Sequence, residues 1–191
     1  MHGYLKLPPA VARQRDLVFQ QVQRESKRSL NDIRARRILD VGTGYGMSAK
    51  TLARRFGKSS RIWSIDPSAQ VLRQVRNDLK NRKYAKQIKF RKARAEELPF
   101  RAGAFDLVVS LLALHHFSKP EKGVREMGRV LAPGGRLMIA DWRPVKSSVV
   151  PHTPKYVPSP TYVTRLIRQL GFSTIVHKGR FWYLIDAMKK W

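Results

Sequence analysis

Residues 38–50 read ILDVGTGYGMSAK, an apolar run that breaks into three glycines within five positions. A short apolar run ahead of a glycine cluster reads as a buried strand, and the residues behind it as a helix. Glycines at 42, 44 and 46 let the backbone turn sharply and approach a ligand without Cβ clashes. The N–H groups opening the next helix then face the crevice beyond the strand. The dinucleotide fingerprint G-x-G-x-x-G would need its third glycine where Met47 stands, and the phosphate-cradling G-x-x-x-x-G-K-[ST] is absent. The spacing is G-x-G-x-G, with Asp40 two residues ahead of Gly42. Asp66 closes the next apolar run, and a carboxylate there can accept from both ribose hydroxyls of an adenosine.

Outward from this corner the chain alternates. RILDV, RIWSI, QIKFR, FDLVVS and RLMIAD are strand-like, with helical stretches between them, clearest over Ser68–Arg82 and Pro120–Leu131. Within the first, Leu72, Val75 and Leu79 recur at core spacing. Such alternation predicts a parallel sheet with helices on both faces. The final stretch, FSTIVHKGRFWYLIDAMK, reads as two strands joined near Lys178-Gly179. The fold class expected is α/β: a Rossmann-like, doubly wound, mostly parallel seven-stranded sheet ending in an antiparallel hairpin. One domain is expected over 1–191. It comprises a helical cover in 1–35 (helix Pro9–Ser29), a core in 36–142, a proline-rich loop in 143–160, and a helix plus hairpin in 161–191. The helix within that last part is expected over Thr161–Leu170. No internal repeat is visible. Pro133-Gly134-Gly135 reads as a turn into the fifth strand.

The 191 residues carry 39 Lys and Arg against 13 Asp and Glu, a formal charge of +26, with no cysteine. Disulfides, thiolate zinc ligands and cysteine nucleophiles are thereby excluded. Too few carboxylates remain to offset the cations, so a polyanion partner is expected, nucleic acid first and an anionic membrane surface second. No apolar run approaches the roughly 20 residues of a membrane span, and the N-terminal order is not that of a secretory signal. Membrane insertion is therefore not expected, and a cytoplasmic location is.

Four segments together carry a resemblance: ILDVGTGYG, IDPS, ARAEELPFRAGAFDLVVSLLALHHF and GRVLAPGGRLMIAD. In order and spacing, over roughly residues 36–142, the chain resembles the class I S-adenosylmethionine-dependent methyltransferases, the UbiE-like group above all. That resemblance implies S-adenosylmethionine as cofactor. It places Asp40 and the backbone of Gly42, Thr43, Gly44, Tyr45 and Gly46 at the amino acid end. Asp66 falls at the ribose hydroxyls, Pro67 beside the adenine, Ala95 at the adenine through its N–H, and Ser110 at the methyl group. Similar proteins place Asp before that alanine to accept from the adenine amino group. Here Arg94 stands there, and a guanidinium cannot accept. Either Glu96 substitutes or the contact is lost.

Methyl transfer from a sulfonium is an in-line displacement, served largely by alignment of the reacting atoms. A nitrogen lone pair needs little more; a hydroxyl needs a base and a ring carbon needs activation. The lack of cysteine closes the covalent route to C5-methylated pyrimidines. SLLA after the fourth strand matches neither the Asn/Asp-Pro-Pro-aromatic segment of exocyclic-amine enzymes nor a Lys-Asp-Lys-Glu set. No catalytic residue follows directly; Ser110, His115 and His116 are the candidates. The adjacent histidines point in different directions, so no metal site is expected.

Arg73, Arg76, Lys80 and Lys83 recur on one helical face, and Lys86 to Arg94 continue the cations. With Trp142, Tyr156 and Tyr162 as stacking candidates, the expected substrate is a structured RNA, rRNA or tRNA. A small metabolite or quinone acceptor is the alternative, and a non-catalytic RNA-binding factor reusing the fold is the second.

Overall fold

A computed structural model describes residues 9–143 and 157–190. Among these residues seven strands form one sheet: β1 (Arg37–Val41), β2 (Arg61–Asp66), β3 (Ile88–Lys92), β4 (Phe105–Leu111), β5 (Leu131–Trp142), β6 (Phe172–Lys178) and β7 (Trp182–Lys189). Their order is β3-β2-β1-β4-β5-β7-β6. The first five are parallel to their neighbours, whereas β7 runs antiparallel to both β5 and β6. Among the described residues five α-helices accompany them: α1 (Pro9–Ser29), α2 (Met47–Phe56), α3 (Ala69–Leu79), α4 (Pro120–Val130) and α5 (Pro160–Gln169). The strand order reverses between β1 and β4, and crevices for ligands open at the carboxyl ends of strands flanking such a switch.

The strands are apolar at consecutive positions because both faces are covered. Ile38 joins Val18, Leu52 and Leu79 on one face, while its neighbour Leu39 joins Met127 and Leu166 on the other. Burial of each such side chain contributes about 1.5–3 kcal/mol. The rigid sheet so formed holds the carboxyl-end loops in place.

Two details differ from the sequence expectation, and a third, the strand order within the hairpin, it left open. Helix α3 stops at Leu79, so Lys83 lies past its end. The Pro-Gly-Gly turn is an excursion inside β5: Leu131 pairs with Phe105, and pairing resumes at Arg136 with Leu107. In the hairpin the later strand inserts, so β7 lies between β5 and β6. Of the leading helix, Val18 and Val22 are buried while Leu17 is 46% exposed; the side chain of Val11 is outside the described ones. Gln23 Nε2 donates to Thr51 Oγ1 at 2.9 Å and Trp182 Nε1 to Gln21 Oε1 at 2.9 Å, tying α1 to α2 and β7. Most of the proline-rich stretch, residues 144–156, lies outside the described residues. No described helix is long and apolar enough to cross a membrane.

Candidate active site

The glycine corner sits at the carboxyl end of β1, with φ of 91° at Gly42, 48° at Gly44 and 71° at Gly46. The outer two are pressed by the fold. A Cβ on Gly42 would lie 2.5 Å from the Cβ of Ala113, and one on Gly46 would strike Val75 of α3. A Cβ on Gly44 would meet nothing within 4 Å, so the middle of the loop faces open space. The amides of Gly42 and Thr43 both donate to Ile65 O at 2.9 Å, locking the turn onto the end of β2.

Two carboxylates flank this loop. Asp66, half-buried at the end of β2, accepts from the amides of Gly44 (3.2 Å) and Ser68 (2.9 Å). Asp40 is fully buried below. Its Oδ2 accepts from Ser64 Oγ at 2.7 Å, and Ser64 is 2.7 Å from Thr43 Oγ1, so three side chains form one buried chain. Burial pushes the Asp40 carboxyl up to about 6; hydrogen bonds from Ser48 and Ser64 oppose the rise, and the nearby Asp66 charge adds to it. Tyr45 stands 58% exposed at the loop tip.

Across the switch point, β4 carries Ser110 one residue before its end, and the buried Ser110 Oγ has no hydrogen-bond partner among the described residues. Leu112 follows at φ 54°, the one described non-glycine residue with positive φ. Such left-handed backbone costs about 1–2 kcal/mol and concentrates at functional sites. It swings the chain into the short 3₁₀ turn Leu114–His116. Asp141, buried at the end of β5, grips that turn: Oδ2 accepts from the His115 amide at 2.7 Å and Oδ1 lies 2.6 Å from His115 Nδ1. The His115 and His116 ring centroids lie 4.0 Å apart, so the two side chains do not diverge as the sequence suggested. Asp141 escaped the sequence reading. The signal available was a single acid closing the apolar run Leu137–Ala140.

The turn that begins with Arg94 and Ala95 is fastened to α4. Glu96 Oε1 accepts from the amides of Ser118 (2.7 Å) and Lys119 (3.2 Å), satisfying N–H groups at the start of that helix. Arg94 Nη2 donates to Ser118 Oγ at 2.6 Å, and its Nε lies 3.7 Å from Glu96 Oε2. Arg94 is thus a strut across the turn, and one Glu96 oxygen is committed to capping. Ala95 is buried against the Gly123 turn of α4.

The stacking candidates are not gathered at this crevice. Trp142 is 3% exposed and packs in the core cluster with Val18 and Leu52, which corrects the expectation that its ring presents itself to a base. Tyr162 lies on α5, with its hydroxyl 3.5 Å from Glu121. Tyr156 lies outside the described residues.

The profile of the methyltransferase domain family matches residues 39–139, which is 101 of 191 positions. The chain belongs to this family. Its curated relatives include proteins named ubiquinone/menaquinone biosynthesis C-methyltransferase UbiE. The one from Hahella chejuensis is 34% identical over 113 residues, covering 59% of this chain and 45% of the relative. The one from Cronobacter sakazakii is 27% identical over 156 residues, covering 82% and 60%. The chain spans about half the length of the curated relatives it matches. Among solved structures, a SAM-dependent methyltransferase from Aquifex aeolicus superposes with a TM-score of 0.71 at 22% identity, over 89% of this chain and 96% of that one. The phosphoethanolamine N-methyltransferase 2 of Haemonchus contortus gives 0.76 at 16%, over 90% and 53%. These likenesses establish the class I methyltransferase fold.

Family and fold imply S-adenosylmethionine as methyl donor. The crevice fits it on three observations: Gly44 opens the loop centre, Asp66 stands within 3.2 Å of that loop, and a buried hydroxyl at Ser110 lacks a partner among the described residues.

Proposed function

We propose that this chain transfers the methyl group of S-adenosylmethionine to a small ring-bearing acceptor of the quinone class. Support for the acceptor comes from its relatives, named as quinone C-methyltransferases. The observation that carries the chemistry is the open Gly44 facing Asp66 at the switch point of the sheet.

The bound cofactor supplies an electrophilic methyl on a sulfonium, which an aligned nucleophile displaces in line. In this proposal the Gly42–Gly46 backbone and Asp40 hold its amino acid end, and Asp66 accepts from its ribose hydroxyls. Pro67 and the Ala95 N–H border the adenine, and Ser110 borders the reacting methyl. Asp40 ionised in a buried site is costly, and a cationic ligand beside it offsets that cost.

A ring carbon or hydroxyl must lose a proton, and the Asp141–His115 pair is built for that. A carboxylate on Nδ1 holds the imidazole in the tautomer that leaves Nε2 as acceptor. Asp141 also accepts the His115 and Trp142 amides, so the pair cannot rotate away. Substitution of His115 by Gln should lower kcat by about 100-fold, the usual yield of one general base, with cofactor affinity within about twofold of the parent. An unchanged kcat rejects His115 as the base.

The acceptor class is tested by incubating the full chain with labelled cofactor and separate lipid, RNA and protein extracts. Label in the lipid fraction is expected. Label confined to RNA would overturn the quinone reading and reinstate RNA as acceptor, which the +26 charge favours.

A further inference from the structure

The surplus cations are not spread evenly. Residues 73–94 hold ten Lys and Arg against one acid, Asp78. Among the described residues, Arg94 alone of these ten makes an ion pair. Helix α3 and β3 place them along one edge of the sheet, since β3 is the terminal strand. Arg73, Arg76, Lys80 and Lys83 are all exposed there, as are Lys89 and Arg91 of β3.

Aromatic rings are interleaved with these charges. Arg76 lies over Phe90 at 5.8 Å, Lys89 over Trp63 at 5.3 Å, and Arg91 over Phe100 at 5.3 Å. A cleft of about 390 Å³ opens at this edge, lined among others by Trp63, Arg76, Lys80, Lys89 and Phe90. None of these residues belongs to the glycine corner or to the Asp141–His115 turn.

We infer that this edge is a binding site for unpaired RNA, separate from the methyl-transfer crevice. Cations spaced along an edge meet successive phosphates, and planar rings or guanidinium groups offer bases a stacking surface. A bilayer is the poorer fit. Trp63 and Phe90 are half-buried and recessed in a cleft, where a flat lipid surface cannot reach them. Among the described residues the exposed large apolar side chains are Leu17, Tyr45, Ile175 and Met188, and none belongs to α3 or β3. Interfacial anchoring needs protruding apolar groups beside the cations. Duplex nucleic acid hides its bases from such rings, whereas RNA loops and ends expose them.

The test is fluorescence anisotropy of a labelled twelve-residue polyuridine with the full chain, without cofactor, across a salt series. With about five phosphates neutralised, the slope of log affinity on log salt should be near −3.5. The double variant Lys80→Glu/Lys89→Glu changes two exposed side chains and should weaken binding at least 30-fold. The same charge change at the opposite edge, Lys178→Glu/Arg180→Glu, should cost less than threefold. An abasic oligomer of equal length should bind at least tenfold more weakly. Equal losses from the two double variants, equal affinity for the abasic chain, or a slope near zero would each overturn the inference. So would sedimentation with phosphatidylserine vesicles that the Lys80/Lys89 variant abolishes while RNA binding stays intact. Because binding is read without methyl transfer, its failure leaves the proposed reaction standing, and the reverse holds too.

Discussion

Gly44 and Gly46 share a motif and a positive φ, yet a methyl group added to each meets different surroundings. Alanine at 46 drives into Val75 of α3, so overpacking joins the backbone cost and folding should suffer. Alanine at 44 meets nothing within 4 Å and faces only the left-handed penalty, about 1–2 kcal/mol. Under the proposed function it would, however, occupy the loop centre that the cofactor approaches. Gly44→Ala should therefore remain folded in a thermal melt while binding cofactor at least tenfold more weakly by calorimetry; Gly46→Ala should lose the melt itself. Asp40 makes a second residue-scale case, with its carboxyl raised to about 6 by burial from an ordinary 3.8. Between those values the native state binds more protons than the unfolded one, so stability falls as pH rises. The full cost is about 3 kcal/mol and is present above roughly pH 6. Relative to Asp40→Asn, the parent should lose about that much stability between pH 4 and pH 7 in urea titrations. A pH-independent difference would reject the burial account.

The terminal hairpin shows what element-level packing demands. β7 slots between β5 and β6, so its residues are buried on both faces, and its one acid needs a partner. Asp186, 4% exposed, receives two bonds from Arg136 of β5, at 2.8 and 2.7 Å. Removing one partner of a buried pair strands the other; Arg136 is partly exposed, which softens the loss to about 2–3 kcal/mol. Asp186→Ala should shift the urea midpoint accordingly, whereas Ser173→Ala on the outer strand should leave it nearly in place. Equal shifts would mean that the pair contributes nothing. A related economy fixes the EELPF turn. Arg129 of α4 donates to the carbonyls of Leu98 and Phe100, and Glu126 accepts from the Leu98 amide, so α4 clamps the turn ahead of β4.

For the whole molecule the deciding quantity is +26 over 191 residues. Charges of one sign repel across distances that salt controls, with a Debye length of about 20 Å at 0.02 M and about 4 Å at 0.5 M. The melting temperature should rise by about 5 °C between those salt concentrations, which for a chain of this size is roughly 2 kcal/mol. A melting temperature independent of salt would mean that the surplus is spaced too widely to strain the fold. On the RNA-binding inference, an anionic partner at the α3–β3 edge would relieve part of the same repulsion.

The amino-acid order alone determined the alternation of strands and helices, the glycine corner, Asp66, the leading helix and the closing hairpin. Each is a local pattern, written within a few residues by side-chain period or by backbone freedom, so neighbours in sequence suffice to read it. Three things only the tertiary structure decided: that β7 rather than β6 pairs with β5, that Trp142 is buried, and that Asp141 holds His115. Strand pairing and sheet-face burial depend on how distant segments pack. Asp141 and His115 are 26 residues apart, and no period along the chain records that two strand ends will lie side by side.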